Sequence, residues 1–217
     1  MNFEKARFNM VEQQIRPWEI LDQDVLDVMM TVKREEFVPK EAQALAFAEI
    51  ELPIGQGQTM LKPTIEGKIL QAVRVRPTDS VLEVGAGSGY FAALLAAQAD
   101  WVRTVEINSE LVGLAHANLN RNGVKNVIVE EGDGSEGLPV RAPYNVIVVS
   151  GGLPELSSAL LAQLAPGGRL FAFVGEAPVM KARLVICESE GCFRTEDLFE
   201  TVVPMLVQPE KHNAFHF

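Results

Sequence analysis

The feature that most constrains this chain is a regular alternation of strand-like and helix-like segments that begins after Pro77. Short runs rich in aliphatic residues occupy positions 80–84, 102–106, 127–130, 146–149 and 169–174. Longer segments with helical periodicity separate them, at positions 90–98, 109–122 and about 154–164. Strands that alternate with helices of ~10 or more residues are typical of parallel sheets with right-handed crossovers. The sequence therefore predicts an α/β fold with a doubly wound, mostly parallel sheet.

The pattern changes near the carboxyl terminus, where three short strand-like runs are joined by tight turns. They occupy positions 183–187, 192–194 and 198–203 and predict that the sheet ends in an antiparallel hairpin. Cys187 and Cys192 flank the first of these turns and are the two cysteines of the chain. We expect no disulfide between them, because cysteine in a reducing compartment usually serves as a small apolar residue.

The amino-terminal part predicts short helices instead of strands. Asp22 is a suitable N-cap for a helix whose apolar residues follow the 3.6-residue period as far as Val32. A second short helix is expected at positions 41–47. Residues 54–63 are rich in glycine and polar side chains and predict a surface loop, after which Pro63 suits the first position of a helix.

These patterns suggest a division of the chain near Pro77. Residues 1–76 would form a helical amino-terminal region that carries a substrate and cofactor loop at positions 54–63. Residues 77–217 would form the ligand-binding sheet domain.

Charge and hydrophobic patterning argue against several classes of partner. Lys and Arg number 19 against 29 Asp and Glu, and the formal net charge of −10 opposes nonspecific binding to nucleic acid or to an anionic bilayer. The longest apolar run, residues 90–97, is much shorter than the ~20 residues of a membrane helix. The first residues mix both charges and contain no apolar signal segment, so we expect a cytoplasmic protein.

A glycine-rich loop, Gly85-Ala86-Gly87-Ser88-Gly89, follows the first predicted strand of the sheet. In doubly wound sheets ligands bind at the carboxyl ends of the strands, where glycine lets the backbone approach them closely. The G-x-G-x-G spacing differs from the G-x-G-x-x-G that cradles a dinucleotide pyrophosphate. It therefore favours the methionine and ribose parts of S-adenosylmethionine over NAD or FAD.

Two acidic residues follow at the ends of the next two predicted strands. Glu106 lies 21 residues after Gly85, where a carboxylate can accept hydrogen bonds from both ribose hydroxyls. Asp133 is placed to accept a hydrogen bond from the adenine amino group, and Ile107 is placed to pack against the ring. Three strand-end signals in series predict an S-adenosylmethionine site.

The segment after the fourth predicted strand narrows the choice of methyl acceptor. It contains Ser150-Gly151-Gly152, and neither an Asn/Asp-Pro-Pro-Tyr/Phe motif for amine methylation nor a carboxylate cluster for a divalent metal. Of the three histidines, His116 lies on a predicted helix, and His212 and His216 lie in the last six residues, so none is an obvious general base. A carboxylate acceptor is already ionised at neutral pH and needs no base, since its pKa is near ~4. We therefore expect the protein to act by aligning an acceptor carboxylate with the methyl group.

Several blocks of the chain resemble the protein-L-isoaspartate O-methyltransferase family, in order and over almost its whole length. The blocks are Gln14-Ile15-Arg16, Arg34-Glu35-Glu36-Phe37-Val38-Pro39, Gly57-Gln58-Thr59, Val81-Leu82-Glu83-Val84-Gly85-Ala86-Gly87-Ser88-Gly89-Tyr90, Gly132-Asp133-Gly134 and Leu164-Ala165-Pro166-Gly167-Gly168-Arg169-Leu170. The resemblance implies a seven-stranded Rossmann-like methyltransferase sheet preceded by a helical part. It also implies methyl transfer from S-adenosylmethionine to the α-carboxylate of isoaspartyl residues in damaged proteins.

The loop at positions 54–63 departs from the family pattern at one residue. The family loop usually reads Gly-x-Gly-Gln-Thr-Ile-Ser-x-Pro, and its serine is regarded as catalytic, whereas the corresponding residue here is Leu61. The resemblance, together with the strand-end signals, implies a catalytic set of Thr59, Leu61 and Lys62. The implied cofactor-binding set is Gln58, Thr59, Glu83, Gly85, Gly87, Ser88, Gly89, Glu106, Ile107, Asp133 and Gly134, and no metal site is expected.

Leu61 keeps other functions open. One is methylation of another acceptor, such as a small carboxylic acid or hydroxyl compound, with Leu61 lining an apolar pocket. The other is a homologue that binds S-adenosylmethionine without turnover. A nicotinamide-dependent dehydrogenase is disfavoured by the glycine spacing.

Overall fold

The computed structural model describes residues 1–207 and builds them from six α-helices and nine β-strands. The helices are α1 (Phe3–Met10), α2 (Gln23–Thr31), α3 (Pro63–Val73), α4 (Tyr90–Ala96), α5 (Ser109–Arg121) and α6 (Ser158–Leu161). The strands are β1 (Leu52–Gly55), β2 (Gln58–Met60), β3 (Ser80–Val84), β4 (Trp101–Glu106), β5 (Val127–Glu131), β6 (Tyr144–Leu153), β7 (Leu164–Glu176), β8 (Val179–Ser189) and β9 (Cys192–Thr201). Among these residues, no helix has the length and apolar character to cross a membrane.

Seven of the strands form one sheet in the order β5-β4-β3-β6-β7-β8-β9. The five strands from β5 to β7 pair in parallel, and β8 and β9 add to the edge in antiparallel pairing. The strand order changes direction at β3, the position in such folds beside which a ligand crevice opens. The predicted fold class, a mostly parallel seven-stranded sheet with an antiparallel end and a helical amino-terminal extension, is confirmed.

The amino-terminal helices begin where the capping residues predict. The Asp22 side chain accepts a hydrogen bond from Asp24 N at 3.0 Å at the start of α2, and Pro63 is the first residue of α3. The helix expected at positions 41–47 is instead a 3₁₀ helix, Lys40–Leu45.

The prediction of a surface loop at positions 54–63 is wrong for the secondary structure of this segment. Most of it belongs to a β-hairpin, in which β1 pairs with β2. Leu52, Ile54 and Met60 are buried, so the hairpin has an apolar inner face. Its turn contains Gly55 and Gly57 at positive φ, a conformation that glycine adopts without strain.

The carboxyl-terminal end of the sheet also differs from the prediction. The three expected short strands are two long ones, because β9 continues through positions 192–201 and its charged side chains lie on an exposed edge. The predicted turn between the cysteines is present, with Ser189 paired to Cys192. Both thiols are free, and Cys187 is buried while Cys192 is exposed.

The helix expected at about 154–164 is reduced to the four residues of α6. Strand β6 runs on to Leu153 and uses residues that the sequence pattern assigned to the turn. Ser157 caps the short helix by accepting a hydrogen bond from Ala159 N at 3.1 Å. The helical segment is therefore only about one turn long.

Two hydrophobic clusters cover the two faces of the sheet, as strand alternation requires. Val81 and Val146 belong to the larger cluster, together with apolar residues of α1–α5. Leu82 and Ile147 point to the opposite face and belong to the smaller one. The proposed division at residues 76/77 runs through the larger cluster, which contains residues from both sides of it.

Arg169 joins the amino-terminal ends of the central strands to the end of α3. Its guanidinium donates to the carboxylate of Asp79 at 2.6 Å and to the backbone carbonyls of Val73 and Arg74. Arg169 and Asp79 are both buried. The carbonyls at the carboxyl end of a helix have no partners within the helix, so this side chain supplies bonds that the backbone cannot.

We predict that Arg169→Met lowers the free energy of unfolding by about 3–5 kcal/mol, because it leaves the buried carboxylate of Asp79 without its cationic partner. The matched control is Arg194→Met, since Arg194 is exposed and its contacts with Glu188 and Glu196 measure 3.4 and 3.6 Å. Such surface pairs contribute about 0–1 kcal/mol. Urea denaturation of the three proteins measures both values, and equal losses in the two variants would contradict the assignment.

Candidate active site

A cavity of about 280 Å³ opens at the carboxyl ends of β3, β4 and β5. Its wall combines the first residue of the glycine loop, the strand-end acids, the turn of the β1–β2 hairpin and a carboxyl-terminal segment. The lining residues are Gln56, Gln58, Val84, Gly85, Val105, Glu106, Ile107, Asn108, Gly132, Asp133, Gly134, Ser135, Leu206 and Val207. The sheet therefore brings together at one edge residues that lie far apart in the sequence.

Glu106 is the last residue of β4, and its carboxylate is held by the backbone on both oxygens. Oε2 accepts a hydrogen bond from Gly87 N and Oε1 accepts one from Asn108 N, each at 3.0 Å. The residue is only 7% exposed. Each carboxylate oxygen can accept two hydrogen bonds, so one position on each remains for a ligand hydroxyl.

The residues of the glycine loop have different positions relative to the cavity. Gly85 lines it, with a φ of 95°, and its N–H donates to Val105 O at 2.8 Å. Gly87 is close to the hairpin, since a Cβ there would lie 3.2 Å from Ile54 Cδ1. Gly89 instead packs against α5 at Ala115 and Leu119, so its role is close helix packing.

Ser88 points away from the main cavity. It is buried, its Oγ accepts a hydrogen bond from Tyr90 N at 3.3 Å, and its carbonyl accepts one from Asn118 Nδ2 at 2.9 Å. Asn118 is buried on α5 and the sequence analysis did not identify it. The only signal for Asn118 in the sequence was its position on the apolar face of a predicted helix.

Asp133 lies two residues beyond β5 and faces the cavity from its exposed rim. Its Oδ1 accepts a hydrogen bond from Ser135 N at 2.9 Å, which leaves the other oxygen for a ligand donor. Ile107 also lines the cavity. Gly134 allows the chain to pass close to β3, since a Cβ there would lie 2.7 Å from Val84 Cγ1.

The β1–β2 hairpin packs over the glycine loop and closes one side of the site. Gln58, Thr59 and Leu61 line a smaller cavity of about 70 Å³ that adjoins the main one at Gly85 and Glu106. The amide of Gln56, a residue that the sequence analysis did not identify, donates to the carboxylate of Glu110 on α5. This bond fixes the turn of the hairpin beside the cavity.

Residues 204–207 close the opposite side of the main cavity, and the sequence analysis did not identify them as part of the site. Gly152 N donates to Pro204 O at 2.8 Å, and Leu206 N donates to Gly152 O at 2.9 Å. A Cβ on Gly151 would lie 2.9 Å from Leu206 Cδ2, so glycine permits this approach. The Gly151-Gly152 pair was the available signal, and it explains how Leu206 reaches the cavity wall.

Two buried acids line a third cavity of about 50 Å³ beneath the glycine loop. Glu83 accepts a hydrogen bond from Ser150 Oγ at 3.3 Å, while its Oε2 has no hydrogen-bond partner among residues 1–207. Burial raises the pKa of Glu83 to about 8. Burial also raises the pKa of Glu66 above its ordinary value, although the guanidinium of Arg34 offsets part of that rise.

Lys62 and His116 lie outside these three cavities. Lys62 is half-buried at the N-cap position of α3. His116 is exposed on α5, and His212 and His216 fall outside the described residues. Within residues 1–207 there is no group of three or more His, Cys, Asp and Glu side chains that could hold a metal ion.

Known proteins match this chain over most of its length. The family model of protein-L-isoaspartate(D-aspartate) O-methyltransferase matches residues 5–207. A protein-L-isoaspartate O-methyltransferase of Koribacter versatilis is 43% identical over 189 residues, which cover 87% of this chain and 85% of that protein. A protein-L-isoaspartate O-methyltransferase 1 of Syntrophobacter fumaroxidans is 40% identical over 195 residues, covering 90% and 91%.

Solved structures agree in fold. A Plasmodium falciparum protein described as a protein-L-isoaspartate O-methyltransferase, in complex with S-adenosyl-L-homocysteine, superposes with a TM-score of 0.81. The match covers 95% of this chain and 99% of that one at 19% identity, so it supports the fold alone. Because the family model spans residues 5–207 and curated relatives share about 40% of their residues with it, the chain belongs to the protein-L-isoaspartate(D-aspartate) O-methyltransferase family, as its sequence blocks predicted.

Proposed function

We propose that this protein is an S-adenosylmethionine-dependent carboxyl methyltransferase that acts on isoaspartyl residues of damaged proteins. Family membership confirms the predicted enzyme class, an O-methyltransferase. The observation that carries the proposal is the contact of the Gly-Gln-Thr hairpin with the glycine loop, next to the carboxylate of Glu106. Thr59 and Leu61 of this segment line a cavity that adjoins the main one at Gly85 and Glu106, which supports the proposal that acceptor and cofactor bind side by side.

The residues of the main cavity fit the proposed cofactor. Glu106 presents a fixed carboxylate with free acceptor positions, Asp133 presents a second acceptor at the rim, and Gly85 leaves the backbone accessible. We propose that these residues bind the adenosine part, with Ile107 against the ring and Gln58 closing the site. When bound, S-adenosylmethionine supplies an electrophilic methyl group on its sulfonium sulfur.

The contribution of the chain to methyl transfer is alignment and exclusion of water. An acceptor carboxylate is its own nucleophile, so no side chain has to remove a proton. We propose that Thr59 and the backbone around Leu61 orient the acceptor, and that Lys62 offers a positive charge close to the same loop. The apolar side chains of Ile54, Leu61 and Met205 line the small cavity and limit the access of water.

One observation favours a second acceptor class. Leu61 is 8% exposed and occupies the position of the family serine, so the wall of the acceptor cavity is apolar at that point. A small acid or hydroxyl compound with an apolar body would fit such a wall. A homologue that binds the cofactor without turnover is the remaining alternative.

The proposal also includes a compartment. We place the protein in the cytoplasm, as expected from the sequence, because Cys187 and Cys192 are free thiols and free thiols persist in reducing compartments.

We predict that Glu106→Ala weakens binding of S-adenosylmethionine at least ~10-fold, since a hydrogen bond to a charged acceptor contributes ~1.5–3 kcal/mol. Titration calorimetry measures the change. The matched control is Glu131→Ala, because Glu131 ends the neighbouring strand β5 but is exposed and does not line the cavity. Unchanged affinity for S-adenosylmethionine in a folded Glu106→Ala protein would show that Glu106 does not bind the cofactor.

We predict that Leu61→Ser raises methyl transfer to an isoaspartyl peptide by roughly 10- to 150-fold, because the hydroxyl restores one charge-assisted hydrogen bond to the acceptor. Rates at saturating cofactor measure the effect. Leu61→Ala is the control, since it removes the same bulk without adding a donor. An equal gain in rate in both variants would show that the gain comes from the smaller side chain and not from the hydroxyl. Rapid turnover by the parent, with no gain in Leu61→Ser, would show that Leu61 does not limit the reaction.

We predict that Glu83→Gln makes stability less dependent on pH. The pKa of Glu83 rises from 4.5 to about 8 on folding, so the stability that this residue contributes is complete below pH 4.5 and is lost as pH rises toward 8. The stability of the variant relative to the parent should therefore rise across that interval, by at most roughly 1.4 kcal/mol per pH unit. Urea denaturation between pH 5 and about pH 8 measures the difference, with exposed Glu131→Gln as control, and a constant difference would contradict the prediction.

A further inference from the structure

Arg34 is a charged side chain that lies next to Leu61 and has no exposed surface. It lies on the short 3₁₀ helix that precedes Phe37, and its guanidinium reaches three separate elements. Nη2 donates to the backbone carbonyl of Leu61 at 2.7 Å, and Nη1 pairs with the carboxylate of Glu66 on α3. The guanidinium carbon also lies 4.9 Å from the centre of the Tyr90 ring, at the start of α4.

The bond to Leu61 acts at a point where the backbone has no ladder partner. The pairing of β2 with β1 ends at Met60, and α3 begins at Pro63. Leu61 is therefore in the connection between two elements, and its side chain lines both small cavities below and beside the glycine loop. Arg34 holds this connection through its bond to the Leu61 carbonyl and lines none of the three cavities.

The geometry requires arginine in particular. A guanidinium is planar and directs several N–H groups along fixed directions, so one side chain bonds a carbonyl and a carboxylate simultaneously. A lysine carries the same charge at a single nitrogen and cannot reproduce this fork. The position of the loop therefore depends on the shape of the cation as well as on its charge.

We propose that Arg34 is a positioning residue for methyl transfer, which aligns the acceptor by holding the carbonyl of Leu61 close to α3 and to the start of α4. This inference rests on the proposed function, because it assumes that the acceptor binds along Thr59 and Leu61. Arg34 would act through Leu61, since it lines neither the main cavity nor the two smaller ones.

The test compares Arg34→Lys with Arg169→Lys. Arg169 is a matched control because it is also buried and also bonds a carboxylate and backbone carbonyls, but at the other end of α3. We expect Arg34→Lys to raise the KM for an isoaspartyl peptide by about three- to tenfold, the equivalent of one hydrogen bond. Affinity for S-adenosylhomocysteine, measured by calorimetry, should stay within about twofold of the parent. Arg169→Lys should lower the melting temperature and leave the KM unchanged, and equal changes of KM in both variants would overturn the proposal.

A second measurement needs no substrate and separates this inference from the proposed function. Amide hydrogen exchange of the peptide that covers residues 58–62 should be faster in Arg34→Lys than in Arg169→Lys. If the parent methylates no acceptor, the proposed function fails while the exchange result still decides the role of Arg34. Equal exchange rates in the two variants would overturn that role.

Glu66→Gln provides a further variant if Arg34→Lys does not fold. It keeps the shape of the partner and removes the charge that fixes Nη1 of Arg34. We expect a smaller rise of KM and a smaller increase of exchange at residues 58–62, in the same direction. A folded Glu66→Gln protein with the KM and the exchange rates of the parent would overturn the proposal.

Discussion

The parallel register of β3 and β4 is the constraint on which the rest of the site depends. Val84 lies opposite Val105, so the next residue of each strand reaches the edge of the sheet at the same level. Gly85 N then donates to Val105 O, and Glu106 accepts the hydrogen bond of Gly87 N. A shift of one residue would turn Glu106 to the opposite face and leave the glycine loop without this anchor, because side chains alternate along a strand. The loop conformation and the position of the acid are therefore set together.

Buried charged groups are the second constraint on the structure. The free-energy cost of burying them differs between the two ends of the sheet. At the amino-terminal end of the sheet, Arg169 bonds a carboxylate and helix-end carbonyls, and neither Arg169 nor Asp79 has a buried polar atom without a partner among residues 1–207. Beneath the glycine loop, Glu83 is buried with one oxygen unpartnered among residues 1–207. An unpaired buried acid destabilises the folded state when it ionises, and groups with such perturbed pKa values concentrate at functional sites. The contrast between the two ends of the sheet agrees with the position of the proposed active site.

Several elements that shape the site depend on contacts that no local pattern reveals. The segment at positions 54–63 has the composition of a loop, yet it pairs as a hairpin because Leu52, Ile54 and Met60 bury one face against the body of the protein. The carboxyl-terminal segment reaches the cavity because Gly151 and Gly152 leave space for it. In each case long-range packing overrides local propensity.

The sequence by itself determined the sheet, its doubly wound order and the strand-end position of the glycine loop and Glu106, because hydrophobic periodicity and glycine placement are local signals with direct backbone consequences. It also identified Leu61 as the residue that departs from the family loop. Only the tertiary structure decided which residues surround that loop: the carbonyl of Leu61 meets Arg34 across 27 positions of the sequence. Arg34 belongs to a block that the sequence analysis recognised as a motif without a role. The reason is physical, since a buried ion pair and its hydrogen bonds depend on where two elements cross, and no periodicity within either element contains that information.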